Sequence, residues 1–206
     1  MTKLYYSHST CSTASHIIME HSGLPYEGIE VSWKRNLNVS ALDQLNPLGA
    51  VPVLVTDQGV VITQNTAILE WIADQAPQKN LLAKPGTTER AQTMSWVALI
   101  ASDLQKAFVN HFRSDVLTTN TDSQKELEVH ATKSVKDLLQ HIENSLENRH
   151  YIVGDHFTIA DAYLFVISGW AEWIDIDLSE YKKLSHYRSQ IAEIPSVKKI
   201  LAMDQE

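Results

Sequence analysis

The sequence holds one cysteine, Cys11, among its 206 residues. A single thiol cannot form an internal disulfide, and it rules out a CxxC redox pair and any cysteine-rich zinc site. The nine histidines are scattered along the chain and form no HExxH motif. We therefore expect no bound metal.

Long apolar runs and a basic surface are also missing. No apolar run approaches the roughly 18 residues that a membrane span needs. The segment Met1 to Tyr5 lacks the apolar stretch and the cleavage site of a signal peptide. The formal net charge of -8 argues against nucleic acid or an anionic membrane as a partner. Because a lone cysteine also fits a reducing compartment, we expect a cytoplasmic protein.

Cys11 lies between a strand-like run and a helix-like run. Leu4 to Tyr6 is apolar, four small or polar residues follow, and the stretch from Cys11 to His21 has the pattern of a helix. Unpaired backbone N–H groups and the helix dipole at such a position favour the thiolate form of cysteine. The alternative is a buried and inert thiol, the commonest state of a lone cysteine.

The first half of the chain alternates strands and helices. The pattern predicts strands at Leu4–Tyr6, Tyr26–Trp33, Val51–Thr56 and Val60–Thr63, and helices at Cys11–His21, Val39–Leu45 and Thr66–Gln75. Gly23 is placed to end the first helix. This βαβαββα order predicts a mixed sheet with helices on both faces.

Pro52 does not suit the middle of a strand, since proline has no N–H to donate to the sheet. A cis Val51–Pro52 bond would leave the backbone of Val51 free for a ligand. The alternative is a trans proline that opens an edge strand, which general frequencies favour.

After Ala76 the composition changes, and the rest of the chain has only helical patterns. We predict a domain of residues 1–77, a Pro- and Gly-containing linker of residues 78–87, and an all-helical domain of residues 88–206. The helices are expected at Thr88–Phe112, Ser123–Glu147, Ala162–Trp173 and Pro195–Met203. Thr158 and Asp161 have the spacing of a capping box, which assigns Asp161 a structural role.

The whole chain resembles the cytosolic glutathione transferases, and most closely their bacterial beta class. The resemblance rests on the order and spacing of four motifs, Tyr6-Ser7-His8-Ser9-Thr10-Cys11-Ser12, Asn46-Pro47-Leu48-Gly49-Ala50-Val51-Pro52, Thr63-Gln64-Asn65-Thr66-Ala67-Ile68-Leu69 and Phe157-Thr158-Ile159-Ala160-Asp161-Ala162. It implies a thioredoxin-like N-terminal α/β domain and an all-α C-terminal domain.

The resemblance also implies a glutathione site. Val51, before the family's cis-proline Pro52, would pair with the backbone of glutathione, and Gln64 and Asn65 would hold its γ-glutamyl end. A helix N-terminus suits that carboxylate. Simple helix capping is the alternative, and it would explain Asn65 but not Gln64.

Three residues near the first loop could interact with the glutathione thiol. Cys11 matches the beta-class cysteine, which lies beside the glutathione sulfur and can form a mixed disulfide with it. Ser12 and then Tyr6 rank below it as donors to the thiolate. The alternatives are that Ser12 is an ordinary first-turn residue and that Tyr6 is a structural strand tyrosine.

Two positions depart from the family pattern. Where beta-class members have a His-Lys pair, this chain has Gln105 and Lys106, and glutamine cannot transfer a proton. Leu48 stands where a lysine is common. Lys106 could bind a glutathione carboxylate or be an ordinary surface lysine.

The resemblance predicts an apolar site for a hydrophobic electrophile on the helical domain, with Phe108, Phe112 and Trp170 as candidates, and it predicts a homodimer. Three functions stay open. The first is a glutathione S-transferase that conjugates glutathione to electrophiles. The second is a glutathione-dependent thiol-disulfide oxidoreductase or peroxidase that uses Cys11. The third is a binding module without turnover.

Overall fold

The computed structural model describes residues 1–203 and confirms the predicted fold class. A sheet domain is followed by a helical domain. The elements of the sheet domain are β1 (Thr2–Tyr6), α1 (Ser12–Ser22), β2 (Tyr26–Glu30), α2 (Val39–Leu45), β3 (Val53–Val55), β4 (Val61–Thr63) and α3 (Asn65–Gln75). The strand order is β2-β1-β3-β4, with β1 parallel to β2 and the other pairs antiparallel.

Helices cover both faces of the sheet. The side chains of β1 point alternately to these two faces, so that each face has its own apolar contacts. Leu4 belongs to the large core that includes α1, α3 and the helical domain. Tyr5 belongs to a smaller cluster on the other face, where it packs with Leu42 of α2. Gly23 ends α1 at a positive φ of 72°, as predicted.

Two strands are shorter than the sequence predicts. The strand expected at Tyr26–Trp33 ends at Glu30, because the chain then turns back so that Ser32 pairs with Leu37. The ladder of β3 begins only after Pro52, which has no N–H to donate. The Val51–Pro52 bond itself is cis.

The second domain contains more helices than the sequence predicts. Its elements are α4 (Thr88–Leu99), a π-helical segment (Ile100–Leu104), α5 (Gln105–Phe112), α6 (Ser114–Leu117), α7 (Thr121–Ser145), α8 (Ile159–Gly169), α9 (Lys182–Ala192) and α10 (Pro195–Met203). Short 3₁₀ turns follow α3 and α8, and a third one lies in the loop before α9. The helix expected at Ala162–Trp173 therefore begins earlier, and its last residues form a 3₁₀ turn.

The sequence pattern does not predict α9, because the start of this helix is fixed by a distant residue. The carboxylate of Glu143 on α7 accepts hydrogen bonds from the backbone N–H groups of Lys183 (3.0 Å) and Leu184 (2.8 Å). No local capping residue marks this start in the sequence. A carboxylate at a helix N-terminus is favourable for the dipole as well as for the unpaired N–H groups.

The capping box at the start of α8 is confirmed. Thr158 and Asp161 bond each other's backbone and side chain. Asp161 is buried and also accepts hydrogen bonds from the Ile152 N–H and the Tyr187 hydroxyl, each at 2.8 Å. The carboxylate thus fixes the loop before α8 and ties it to α9, as a structural residue would.

The two domains also meet through a charged cluster at the linker. Arg90 of α4 donates to Asp74 through both terminal nitrogens and to Glu70, and it also donates to the carbonyl oxygen of Ala83. Asp74 and Glu70 belong to α3. The guanidinium holds the pKa of Asp74 below its usual range. The orientation of α3 against α4 is therefore fixed beside the linker.

Candidate functional site

Cys11 stands directly before α1 and faces the cis-proline turn. Its Sγ donates to the carbonyl oxygen of Val51 at 3.7 Å. Burial raises the pKa of the thiol from its usual 9.0 to about 11, although Gln105 and the backbone oppose that rise. Of the two alternatives that the sequence leaves open for Cys11, the structure favours the buried thiol over the thiolate in the free protein. Loss of solvent outweighs the helix dipole here.

Ser12 closes the first loop. Its side chain is completely buried, its Oγ accepts from the Ser7 N–H at 2.9 Å, and its hydroxyl donates to the Ser7 carbonyl at 3.0 Å. The Thr10 hydroxyl lies 2.7 Å away. The role of Ser12 as a donor to the glutathione thiolate stays a prediction. It requires the hydrogen bond from the Ser12 hydroxyl to the Ser7 carbonyl oxygen to open.

Tyr6 ends β1 and is buried. Its ring lies 4.2 Å from the ring of His16 on α1 and 5.3 Å from that of His8. These contacts fit the structural alternative for Tyr6, since they hold its ring between the loop and α1.

The turn after β4 places Gln64 and Asn65 at the start of α3. Gln64 has a positive φ of 73° and an exposed side chain. The Asn65 Oδ1 accepts from the Ser15 hydroxyl at 2.6 Å, and no side chain caps the helix. The capping alternative for Asn65 is therefore wrong, because its carbonyl binds α1 instead.

The other end of the Asn65 amide is a buried donor without a hydrogen bond. Asn65 is only 7% exposed, and its Nδ2 has no hydrogen-bond partner among the described residues. An unmet buried donor costs about 1–3 kcal/mol, so such a group in a native protein needs an explanation. A ligand that accepts this hydrogen bond would provide one.

Gln105 reaches Cys11 from the helical domain, whereas Lys106 does not. The Gln105 side chain is near enough to lower the pKa of the Cys11 thiol, as a donor does, although the two side chains make no hydrogen bond of good geometry. Lys106 is exposed and lines a groove of about 320 Å³ between α5 and α7, with Asp103 and His130. The two neighbours therefore face different surroundings.

Tyr163 of α8 was not singled out from the sequence, and it completes this cluster. Its hydroxyl donates to Gln105 Oε1. Burial, and then the nearby Cys11, raise the pKa of Tyr163 above its usual range. The Asn65 amide is near enough to oppose that rise, although the two groups make no hydrogen bond of good geometry. A tyrosine hydroxyl in the mostly apolar run that follows Asp161 was the available signal.

The three predicted aromatic residues lie together. The ring of Phe108 lies 5.9 Å from that of Trp170 and 6.1 Å from that of Phe112. Trp173, which the sequence analysis missed, stacks on Trp170 at 5.8 Å. Phe112 is 37% exposed and Trp173 is 54% exposed, so the cluster has an open apolar side.

This aromatic cluster continues the helix faces that carry the polar groups near Cys11. Phe108 and Phe112 lie three and seven residues after Gln105, and Trp170 lies seven residues after Tyr163. These spacings place side chains on one side of a helix. The structure therefore combines a thiol, a buried amide donor and an aromatic surface in neighbouring positions.

Within residues 1–203, no three His, Cys, Asp or Glu side chains are grouped so that they could hold a metal ion. Across the same residues, every helix is too short or too polar to cross a bilayer.

Known proteins match this chain along nearly its full length. Residues 8–75 match the family model of the glutathione S-transferase N-terminal domain, and residues 98–195 match that of the C-terminal domain. Glutathione S-transferase GstA of Escherichia coli O157:H7 is 32% identical over 204 residues, which is 98% of both chains.

Solved structures agree with this match. A sphingomonad glutathione S-transferase complexed with glutathione superimposes with a TM-score of 0.86 at 31% identity, over 98% of both chains. The bacterial beta-class enzyme of Sphingomonas chungbukensis gives a TM-score of 0.84 at 33% identity, again over 98% of both chains.

Proposed function

Because this chain belongs to the glutathione S-transferase family, we propose that it conjugates the thiolate of glutathione to hydrophobic electrophiles. In this reaction the glutathione thiol loses its proton and its sulfur bonds to an electrophilic carbon. A leaving group such as a halide departs with the electron pair of the broken bond.

The observation that carries this proposal is the unpaired N–H donor of Asn65. It is buried at the start of α3, where the helix dipole also favours a carboxylate. We propose that the γ-glutamyl carboxylate of glutathione binds there and at Gln64, with the Val51 backbone pairing the cysteinyl part. The glutathione sulfur would then lie beside Cys11. Pro52 would shape this turn, and residues 1–77 would form the glutathione-binding domain.

The state of Cys11 favours conjugation over the redox alternative. A thiol whose pKa is about 11 keeps its proton at neutral pH, so it is a poor nucleophile toward disulfides. When glutathione is bound, the same protonated thiol would donate its weak hydrogen bond to the glutathione thiolate instead of the Val51 carbonyl oxygen. In this proposal Cys11 and Gln105 stabilise the nucleophile, which belongs to glutathione.

We propose that the electrophile binds on the open side of the cluster formed by Phe108, Phe112, Trp170 and Trp173. Large exposed aromatic surface favours flat apolar molecules. The helical domain, residues 88–206 beyond the linker of residues 78–87, would thus supply the binding site for the second substrate. Lys106 stays outside this arrangement, because it lines the groove between α5 and α7.

We further propose that the protein works as a cytoplasmic homodimer. The lone cysteine fits a reducing compartment, and the resemblance to the beta class implies a dimer. Light scattering at micromolar concentration should give the mass of two chains, whereas a single peak with the mass of one chain would contradict the dimer.

Replacing Asn65 by aspartate tests the glutathione site. Asn65→Asp keeps an oxygen for the Ser15 hydroxyl, but it exchanges the unpaired donor for a negatively charged oxygen. We expect a folded protein that is about 1–3 kcal/mol less stable, because the new buried carboxylate oxygen has no partner. We also expect a 10- to 100-fold loss of glutathione affinity in calorimetry, from about 1.5–3 kcal/mol of lost charged hydrogen bonding. Conjugation at low glutathione concentration should fall in parallel.

The matched control is Asn110→Asp, which adds the same charge on α5 outside this cluster and should leave the affinity unchanged. Equal glutathione affinity in Asn65→Asp and the wild-type protein would contradict the assigned site. If the wild-type protein binds glutathione but forms no conjugate with any electrophile tested, the chain is a binding module without turnover.

A further inference from the structure

Gln105 can interact with the Cys11 sulfur in two opposite ways. A glutamine amide has a donor end, Nε2, and an acceptor end, Oε1, which differ by a half-turn of the side chain. With Nε2 toward the sulfur, the amide favours a negative charge there. With Oε1 toward the sulfur, it opposes that charge. Whatever fixes the amide therefore decides what Gln105 does.

Tyr163 is the group that contacts the acceptor end of this amide. It comes from α8, its side chain is only 2% exposed, and its hydroxyl donates to Gln105 Oε1. Burial raises the pKa of Tyr163, so the hydroxyl keeps its proton and stays a donor at any working pH. In this structure the hydroxyl donates to the oxygen end of the amide, which leaves the Gln105 N–H groups for other partners.

We propose that Tyr163 is a positioning residue, which holds Gln105 Oε1 and thereby turns the Gln105 N–H donors toward the thiol site at Cys11. The tyrosine acts through the glutamine and needs no contact with substrate. If glutathione binds as proposed above, the same donors face its sulfur as well.

The backbone before Gln105 supports this assignment. The π-helical segment Ile100–Leu104 ends immediately before Gln105 and interrupts an otherwise continuous helix from Thr88 to Phe112. Such segments are rare in proteins, and those that occur often lie at functional sites. Here the segment lies directly before Gln105, the first residue of α5.

The test uses the fact that Cys11 is the only cysteine, so that alkylation by iodoacetamide reports one thiol. Below its pKa, the rate is governed by the fraction of thiolate. Losing the oriented donor should raise the pKa of Cys11 by about one unit, so Tyr163→Phe should slow alkylation about three- to tenfold at every pH from 7 to 9. Tyr181→Phe, which removes the hydroxyl of another tyrosine of this domain, should leave the rate unchanged.

The decisive comparison is made in a second background. In Gln105→Ala protein, Tyr163→Phe should cause no further slowing, because the amide it orients is gone. Equal slowing in both backgrounds, or none in the wild-type background, would overturn the proposal. Gln105→Glu, with Tyr163 intact, should slow alkylation at least as much as Gln105→Ala, since a carboxylate offers only acceptors. A faster rate than Gln105→Ala would also overturn it.

This experiment uses free protein and no glutathione. A negative result would remove the role of Tyr163 without affecting the proposed conjugation. A failure to conjugate glutathione would leave the alkylation result intact.

Discussion

Alkylation of Cys11 in the free protein should be slow at neutral pH and should still rise about tenfold per pH unit beyond pH 9. The reason is the position of the thiol, which is covered by the Val51 turn and by Gln105 of the helical domain. A pKa of about 11 instead of 9.0 leaves about a hundredfold less thiolate at neutral pH. The measurement is the rate of iodoacetamide modification between pH 6 and pH 10, followed by intact mass.

The same cysteine in urea is the matched control. Unfolding exposes Cys11 to water, so its reaction should be faster and should level off near the ordinary pKa of a thiol. A native profile that levels off near pH 7 would show that the helix N-terminus does stabilise a thiolate. It would also restore the redox alternative, because a thiolate at neutral pH can attack a disulfide.

Replacing Asp161 by alanine should lower the free energy of unfolding by about 3–5 kcal/mol. The carboxylate accepts four hydrogen bonds, two from backbone N–H groups at Ile152 and Thr158 and two from hydroxyls at Thr158 and Tyr187. Alanine cannot accept any of them, and the donors are buried in a part of the core that water does not reach. The loop before α8 and its contact with α9 would loosen together.

Urea unfolding followed by tryptophan fluorescence measures this loss. Asp155→Ala is the control in the same loop, because Asp155 is fully exposed and its removal should change the stability by less than about 0.5 kcal/mol. If Asp161→Ala loses less than about 1 kcal/mol, the carboxylate does not hold this loop. A normal fold of Asp161→Ala with altered glutathione binding would indicate a role in the site instead.

The sheet domain could be predicted from the sequence because its signals are local. Apolar alternation, Gly23 and the turn before β4 mark its elements within a few residues. Strand ends were less predictable, since Trp33 continues the alternation although the chain has already left the sheet. The start of α9 depends on Glu143, which lies about 40 residues away in the sequence.

The candidate site shows the same division. The sequence motifs led to Cys11, Val51 and Asn65, but their chemistry depends on contacts between distant residues. Ser15, whose hydroxyl donates to the Asn65 side-chain oxygen, is 50 residues away from it in the sequence. Tyr163 is 58 residues from Gln105. The sequence left the thiolate and the buried thiol of Cys11 open as alternatives, because it showed the helix start but not the domain that buries this residue.

The central claim is that glutathione, and not Cys11, supplies the nucleophile. The most direct test is the initial rate of thioether formation from glutathione and an aryl halide, measured for the wild-type protein and for Cys11→Ala. The account predicts turnover by both proteins, with at most about a tenfold loss in the variant, the loss expected for one hydrogen bond. It also predicts that oxidised glutathione can form an adduct only with the wild-type protein. Complete loss of conjugation in a folded Cys11→Ala protein that still binds glutathione would contradict the account.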